Sequence, residues 1–222
     1  MVGVGTISFP VVPTLILLIR HALTDTAGKK LTGWQPGIHL NDRGREQADR
    51  LAERLRPVRI GAIYSSSLER CVETAEPVAR DTGLDLRALE SLREVNYGSW
   101  SGRTLGPLRK TKLWSSLVAS PSSTRFPGGE TLRETQARML EEIAAIAERH
   151  PNAVVAVVSH ADPIKLVLAH HLGVHVDLFN RIAVAPASVS ALLVGAGAPV
   201  VVKLNDTGDL ADLALPSRKP RR

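Results

Sequence analysis

The chain has 222 residues, of which 44% are apolar, and this is enough for one domain with a sizeable core. Its single cysteine, Cys71, excludes an intramolecular disulfide framework and a zinc site built from thiolates, and it fits a cytoplasmic protein. The net charge is +6, but four basic residues lie in the tail 217–222, and without them it is +2. With few aromatic residues and no recognition-helix pattern, we expect no nucleic-acid partner.

The first residues faintly resemble a secretion signal, but we do not expect them to act as one. No lysine or arginine precedes Arg20, and prolines interrupt the apolar run. No apolar stretch reaches the ~18 residues that a membrane-spanning helix needs. We therefore expect a loose leader before a core strand, and no membrane partner.

The first half of the chain predicts two strands and a helix between them. Residues 14–19 are aliphatic on both faces, as in a central strand that is covered on both sides. Residues 41–57 predict an amphipathic helix, and 60–66 a second strand. The helix has four apolar residues at helical spacing: Ala48, Leu51, Ala52 and Leu55.

A second helix follows, and then a segment without a regular pattern. Ser66 and Glu69 have the spacing of a capping box, and Gly83 is a typical helix stop. Residues 100–127 are rich in Ser, Pro, Lys and Arg, which favours a mobile segment or short helices that cover something. We interpret this segment as a lid.

The second half continues the alternation of helices and strands. The pattern predicts a helix at 129–150, a strand at 153–159, a helix at 162–173 and two closing strands at 188–194 and 199–204. This order indicates an α/β fold, a three-layer α/β/α sandwich with a mostly parallel central sheet. We expect a single domain over residues 1–216, followed by the basic tail.

Two of the predicted strands end in a histidine. Arg20 and His21 follow the first strand, and His160 follows the strand at 153–159. In open α/β sheets, ligands gather beyond the carboxyl ends of the strands. A lone histidine there more often hydrogen-bonds a nearby carbonyl, but two of them, one beside an arginine, favour a functional site.

Arg70 lies in the first turn of its predicted helix, where the helix dipole disfavours a cation. One explanation is a surface salt bridge with Glu69, Glu73 or Glu94. The other is a bound anion, held by Arg70, Arg20 and the start of the helix. The second explanation accounts for both arginines at once.

Glu94 lies in a loop punctuated by glycines, in the stretch LREVNYGSWSG. Beside a bound phosphate, like charge would raise the pKa of this carboxyl group, so that it could donate a proton. The alternative is a surface glutamate paired with Arg93.

Three histidines near the end of a predicted helix, at positions 170, 171 and 175, suggest a metal site. Gly173 interrupts the helix between them, and Asp177 is the one carboxylate nearby with ligand spacing. We therefore favour solvated histidines at a helix end.

Several motifs together resemble the histidine phosphatase superfamily, in the branch that also contains cofactor-dependent phosphoglycerate mutases. The resemblance covers residues 14–204, and its pieces occur in the family's order. They are LIRHALT, LTGWQPGIHLNDRGREQA, IYSSSLERCVETA, LREVNYGSWSG, FPGGETL and VSHADPIK.

The resemblance implies a phosphatase that needs no metal and no cofactor and acts on a small phosphorylated substrate. It implies that His21 is the nucleophile and Glu94 the proton donor. The phosphoryl oxygens would be held by Arg20, Arg70 and His160. Thr24 and Gly33 would frame the phosphate or the substrate. Exposed sheet edges and the family resemblance also favour a homodimer.

The chain departs from the family pattern at three positions. Ala22 and Ala161 stand where glycine is usual, and alanine would be strained there if the backbone required a positive φ. We expect a conformation that alanine tolerates. Ala27 stands where relatives often have a phosphate-binding asparagine, so one oxygen ligand is missing unless Thr24 compensates.

Three alternatives to a phosphatase remain, and one of them is nucleic-acid binding through the basic tail 217–222. A mutase must shield its phosphohistidine from water, and the segment between Glu94 and His160 is short for that purpose. A non-catalytic binder of phosphorylated ligands would not need His21 and Glu94 together. Basic residues in the predicted lid suggest acidic substrates such as sugar or glycerate phosphates, although solvated loop charges explain them equally well: Arg103, Arg109, Lys110 and Lys112.

Overall fold

The computed structural model describes residues 13–195 and 197–208 and contains one six-stranded sheet. The expected leader and the basic tail 217–222 lie outside the described residues. The strands are β1 (Thr14–Arg20), β2 (Ile60–Ser66), β3 (Leu86–Leu89), β4 (Val154–Ser159), β5 (Val189–Val194) and β6 (Val200–Asp206). Their order across the sheet is β3-β2-β4-β1-β5-β6. Neighbours from β3 to β1 pair in parallel, whereas β5 pairs antiparallel with β1 and β6.

Helices cover both faces of the sheet, which confirms the three-layer sandwich. They are α1 (Asp42–Leu55), α2 (Glu69–Thr82), α3 (Leu105–Leu108), α4 (Lys112–Ala119), α5 (Leu132–Arg149) and α6 (Ala161–His171). Successive side chains of a strand point to opposite faces, so β1 contributes to two cores. Ile16 and Leu18 pack with residues of α5 and α6, whereas Leu17 and Ile19 pack with residues of α1 and α2.

The prediction for α1 is confirmed, including its buried face. Asn41 caps this helix by accepting a hydrogen bond from the Gly44 N–H at 2.8 Å. All four residues predicted for its apolar face are buried: Ala48, Leu51, Ala52 and Leu55.

The capping box predicted for α2 is wrong, although its glycine stop is correct. The helix begins at Glu69 after Leu68, which makes no side-chain cap, and ends at Gly83 with φ +70°. The Ser66 hydroxyl lies 2.8 Å from His160 Nε2 instead. Ser66 therefore belongs to the end of β2 and not to the start of the helix.

The segment 100–127 forms short helices that pack onto the core. It contains α3, α4 and a 3-10 helix at Pro121–Ser123. Trp100, Leu108 and Phe126 are buried in the same apolar cluster as α5 and α6. Among the described residues, no helix is both long and apolar enough to cross a membrane.

Candidate active site

Three neighbouring parallel strands bring the predicted site residues to one edge of the sheet. The strands β2, β4 and β1 lie side by side, with Ser159 in register with Arg20. Their carboxyl ends carry Ser66, His160 and His21. Arg70 follows β2 in the first turn of α2. The expectation that strand ends converge at this edge is therefore confirmed.

The His21 imidazole is buried, and its hydrogen bond fixes its tautomer. Its Nδ1 lies 2.8 Å from the Ala22 carbonyl oxygen, which can only accept, so Nδ1 carries the proton and Nε2 is bare. Burial, together with the charges of Arg70 and Arg20, lowers the pKa of His21 well below its usual value. The ring is therefore neutral at pH 7, with a free lone pair on Nε2.

Thr74, which was not predicted from the sequence, holds the backbone after His21. The Thr74 hydroxyl accepts from the Ala22 N–H at 2.9 Å and donates to the Arg70 carbonyl oxygen at 2.6 Å. Thr74 lies one helical turn after Arg70, and this spacing was the available signal. It couples the loop after β1 to α2.

The alanines that replace the usual glycines are not strained. Among the described residues, positive φ at a residue other than glycine occurs at Asn152, Ala187 and Asn205. Ala22 and Ala161 are not among them, so the expected tolerable conformation is confirmed.

Arg70 and Arg20 present buried N–H groups that have no protein partner. Arg70 is 1% exposed and donates from Nη2 to the Gly33 carbonyl at 2.9 Å, but within the described residues its Nε and Nη1 have no partner. Arg20 donates from Nη1 to the Val184 carbonyl at 2.7 Å, and its Nε is likewise unpartnered. Buried donors without partners are costly, and a bound oxyanion would satisfy them.

The salt-bridge explanation for Arg70 is wrong. Glu69 accepts from the Gly37 N–H, and Glu73 pairs with His39 and the Leu40 N–H. Both glutamates are thus engaged elsewhere, no ion pair joins Arg70 to Glu94 among the described contacts, and the Arg70 side chain is buried.

His160 is fully buried beside His21, with 5.2 Å between the ring centroids. Its Nε2 lies 2.8 Å from Ser66 Oγ and 3.4 Å from Cys71 Sγ. Burial and the charge of Arg70 lower the pKa of His160 well below its usual value. Burial raises the pKa of Cys71 to about 12, so its sulfur stays a thiol at pH 7.

Glu94 lies in a buried loop and holds its proton more tightly than a surface glutamate. Its side chain accepts from the Val95 N–H at 3.0 Å, and the residue is 9% exposed. Burial and the nearby Asp162 carboxylate raise the pKa of Glu94 to about 7, although Arg70 and Arg20 oppose this shift. The alternative of a pair with Arg93 is wrong, because Arg93 pairs with Glu90 at 2.7 Å.

Gly33 and Thr24 differ in how they relate to this cluster. The Gly33 carbonyl accepts from Arg70, and because Gly33 has φ +51° and a Cβ there would lie 3.0 Å from Ser101 Oγ, a side chain at this position would be strained. The Thr24 hydroxyl pairs with Thr26 Oγ1 at 3.0 Å. Among the described contacts, none joins Thr24 to an arginine or histidine of the cluster.

The metal hypothesis for the C-terminal histidines gains no support. His170 and His171 lie in the last turn of α6. His175 caps a 3-10 helix, because its Nδ1 accepts a hydrogen bond from the Asp177 N–H. Within the described residues, no group of three or more potential ligands is placed to hold a metal ion.

The fold and the cluster define the class of protein. It is an α/β sandwich that buries a neutral histidine and two incompletely bonded arginines at the carboxyl edge of its sheet, as expected for an enzyme acting on a phosphoryl group. The family model of the histidine phosphatase superfamily (branch 1) matches residues 16–207. The chain belongs to this superfamily.

Similar proteins carry both phosphatase and mutase names. The chain is 29% identical to phosphoserine phosphatase 1 of Hydrogenobacter thermophilus, covering 92% of this chain and 98% of that protein. It is 31% identical to phosphoglycerate mutase-like protein 4 of Arabidopsis thaliana, covering 68% and 67%. The solved structure of Bacillus stearothermophilus YhfR superposes with a TM-score of 0.82 at 29% identity, covering 87% and 97%.

Proposed function

We propose that this protein hydrolyses small phosphate monoesters through a phosphohistidine on His21, with Glu94 as the proton donor. The observation that carries the proposal is the neutral His21 ring, whose bare Nε2 lies in a cluster with the unpartnered N–H groups of Arg20 and Arg70. A neutral imidazole can attack phosphorus without first losing a proton. The arginines supply positive charge for the phosphoryl oxygens.

The reaction has two balanced steps. In the first, His21 Nε2 forms a bond to phosphorus, the ester P–O bond breaks, and protonated Glu94 gives its proton to the leaving alkoxide. In the second, Glu94, now a carboxylate, accepts a proton from water as its oxygen attacks phosphorus and the P–N bond breaks. Inorganic phosphate leaves, and both side chains return to their starting states.

Two features of the site support these roles. The Ala22 carbonyl accepts a hydrogen bond from His21 Nδ1, so it can stabilise the positive charge that the ring acquires on phosphorylation. A pKa of about 7 leaves Glu94 able both to give and to accept a proton at neutral pH. His160 and its partner Ser66 complete the surroundings of the phosphoryl group.

A phosphatase is favoured over a mutase for this chain. The segment between Glu94 and His160 is short for a mutase. A relative that aligns with 92% of the chain, phosphoserine phosphatase 1, bears a phosphatase name. Phosphoserine and glycerate phosphates are therefore the substrates to try first. Mutase activity is the second candidate, because a mutase-like relative also aligns.

The test is phosphate release from an aryl phosphate in EDTA, comparing the wild type with His21→Ala, together with ³²P labelling of the protein. We expect turnover by the wild type alone, and a label that is acid-labile, base-stable and absent from the variant. A stable label without turnover would instead indicate a mutase. Wild-type protein that neither turns over nor becomes labelled would contradict the proposal and favour a binding protein.

A further inference from the structure

An ion pair behind the Glu94 loop has no part in the chemistry described so far. Glu130, just before α5, and Arg138, within α5, join through two contacts, Nη2 to Oε2 at 3.0 Å and Nε to Oε1 at 3.1 Å. Their side chains are 18% and 19% exposed. Such a two-point pair holds a guanidinium in a fixed plane.

The pair forms hydrogen bonds with the backbone on both sides of Glu94. Arg138 donates from Nη1 to the carbonyl oxygens of Ser91 at 2.6 Å and Arg93 at 3.0 Å, and from Nη2 to that of Glu94 at 3.3 Å. Glu130 Oε2 accepts from the Asn96 N–H at 2.9 Å. The residues on either side of the acid are thus tied to one rigid pair, hereafter the Arg138–Glu130 clamp.

The loop is also held by the buried side chains of Val95 and Tyr97 and by the Glu130 N–H, which donates to the Asn96 carbonyl oxygen at 2.9 Å, but few contacts act on Glu94 itself. Residues 93–97 belong to no helix or strand, so no ladder of backbone bonds sets their positions. Apart from the clamp, the Glu94 carbonyl accepts from Trp34 Nε1 at 2.6 Å, and the carboxyl group itself bonds only to the adjacent Val95 N–H among the described contacts. The place of the carboxyl group therefore depends on where its backbone is held.

We propose that the Arg138–Glu130 clamp is a positioning device for proton transfer, which holds Glu94 at the distance from the leaving oxygen that general acid catalysis needs. The inference rests on the proposed function, in which Glu94 is the acid. Arg138 and Glu130 themselves do not touch the substrate. A displacement of about 1 Å in a catalytic group can reduce a rate by about 100-fold.

A comparison of leaving groups separates positioning from general structural support. An alkyl phosphate needs a proton on its leaving oxygen, whereas p-nitrophenyl phosphate releases a stable anion and needs almost none. The parameter kcat/KM reports the steps up to phosphohistidine formation, where this difference acts. We would measure it on both substrates for the wild type, Glu94→Gln, Arg138→Gln and Arg138→Lys.

We expect a selective loss in the clamp variants. Arg138→Gln should lose about 10- to 100-fold on the alkyl phosphate and no more than about threefold on the aryl phosphate. Arg138→Lys keeps the charge opposite Glu130 but cannot reach three carbonyls with one ammonium group, so it should show a smaller loss of the same kind. This variant carries the comparison if Arg138→Gln does not fold.

The matched control is Arg149→Gln. It breaks another arginine–glutamate pair of α5, with Glu142 at 2.5 Å, and Arg149 does not contact the Glu94 loop in the described contacts. Its kcat/KM should stay near wild type on both substrates. Equal losses on both substrates in the Arg138 variants would overturn the inference, since they would show structural support only.

The variant Glu94→Gln tests the proposed function separately from the role of the Arg138–Glu130 clamp. It should lose about 100- to 10,000-fold on the alkyl phosphate and far less on the aryl phosphate. If it shows no such selectivity, Glu94 is not the acid, and the proposed function fails at that point. If it is selective while both Arg138 variants are not, the clamp alone is refuted.

Discussion

At the scale of single residues, the Glu94 carboxyl group lies among charges of both signs, and burial decides its state. Burial and Asp162 raise its pKa to about 7, whereas Arg70 and Arg20 favour the carboxylate. Glu94 is therefore mostly protonated below pH 7 and mostly ionised above it. His21 has the opposite shift and becomes protonated only well below its usual pKa. Between these two values both groups are in the forms that the proposed mechanism requires.

The raised pKa of Glu94 and the lowered pKa of His21 together predict a pH profile that depends on the leaving group. For an alkyl phosphate, kcat/KM should fall above about pH 7 by about tenfold per pH unit, because the proton donor is lost. For an aryl phosphate the fall should be much weaker. In Glu94→Gln the alkaline fall should disappear. Stopped assays in constant-ionic-strength buffers would measure this, and the same alkaline fall in Glu94→Gln would mean that another group titrates.

The charged residues of the site could be predicted from the sequence, but their supports could not. Arg70 stood out because a cation in the first turn of a helix is unfavourable without an anion. Ser66 did not, because its spacing to Glu69 fitted a capping box equally well. That the Ser66 hydroxyl faces His160 follows only from the neighbouring positions of β2 and β4 in the sheet. Arg138 looked like any arginine on an amphipathic helix.

At the scale of elements, the first turn of α1 packs directly on the backbone that follows His21. A Cβ at Gly44 would lie 2.0 Å from the Leu23 carbonyl oxygen, which also accepts from the Asn41 N–H at 3.1 Å. The helix start and the loop after β1 are therefore in van der Waals contact through their backbones. This contact leaves no room for a side chain.

Because of this contact, we expect Gly44→Ala to destabilise the protein, whereas a change from glycine to alanine within a helix usually stabilises it. Alanine normally stabilises a helix by about 1 kcal/mol relative to glycine, but here overpacking should cost about 1 to 3 kcal/mol. Gly106→Ala in α3 is the control, since no heavy atom lies within 4 Å of its Cβ position, and it should be neutral or stabilising. Urea unfolding would measure both. A Gly44→Ala protein as stable as the wild type would contradict the packing.

The elements with strong patterns were predicted well, and a weak one was missed. The central strands β1, β2 and β4 consist mostly of apolar residues, which contribute to both cores. The strand β3 has only four residues at the sheet edge, none of them buried, so it has no apolar run to reveal it. For this element, pairing with β2 decides the structure more than local sequence does.

At the scale of the whole molecule, the order of the strands creates the site. The sequence separates Arg20, Arg70 and His160 by as many as 140 positions, and the parallel order β2-β4-β1 brings them together. The sequence could predict that strand ends converge, but not which strands are neighbours. The assembled site concentrates buried donors without partners, at a cost in stability that a bound anion would offset.

A ligand that binds only the folded state therefore stabilises it, and inorganic phosphate should do so here. At 100 times its dissociation constant, phosphate would add about 2.7 kcal/mol, or about 5 to 10 °C in Tm for a chain of this size. Arg70→Met should lose most of this rise, because it removes the buried donors. Differential scanning fluorimetry in phosphate and in chloride of equal ionic strength would measure it.

The control for this prediction is a surface arginine. A separate cavity of about 570 Å³ is lined by Arg43, Arg50 and Arg54, and it too could attract phosphate. Arg50→Met should keep the full phosphate-dependent rise in Tm if the anion binds between Arg20 and Arg70. A rise that disappears in Arg50→Met and persists in Arg70→Met would place the anion in that cavity. In that case phosphate would not bind to the buried N–H donors of Arg20 and Arg70.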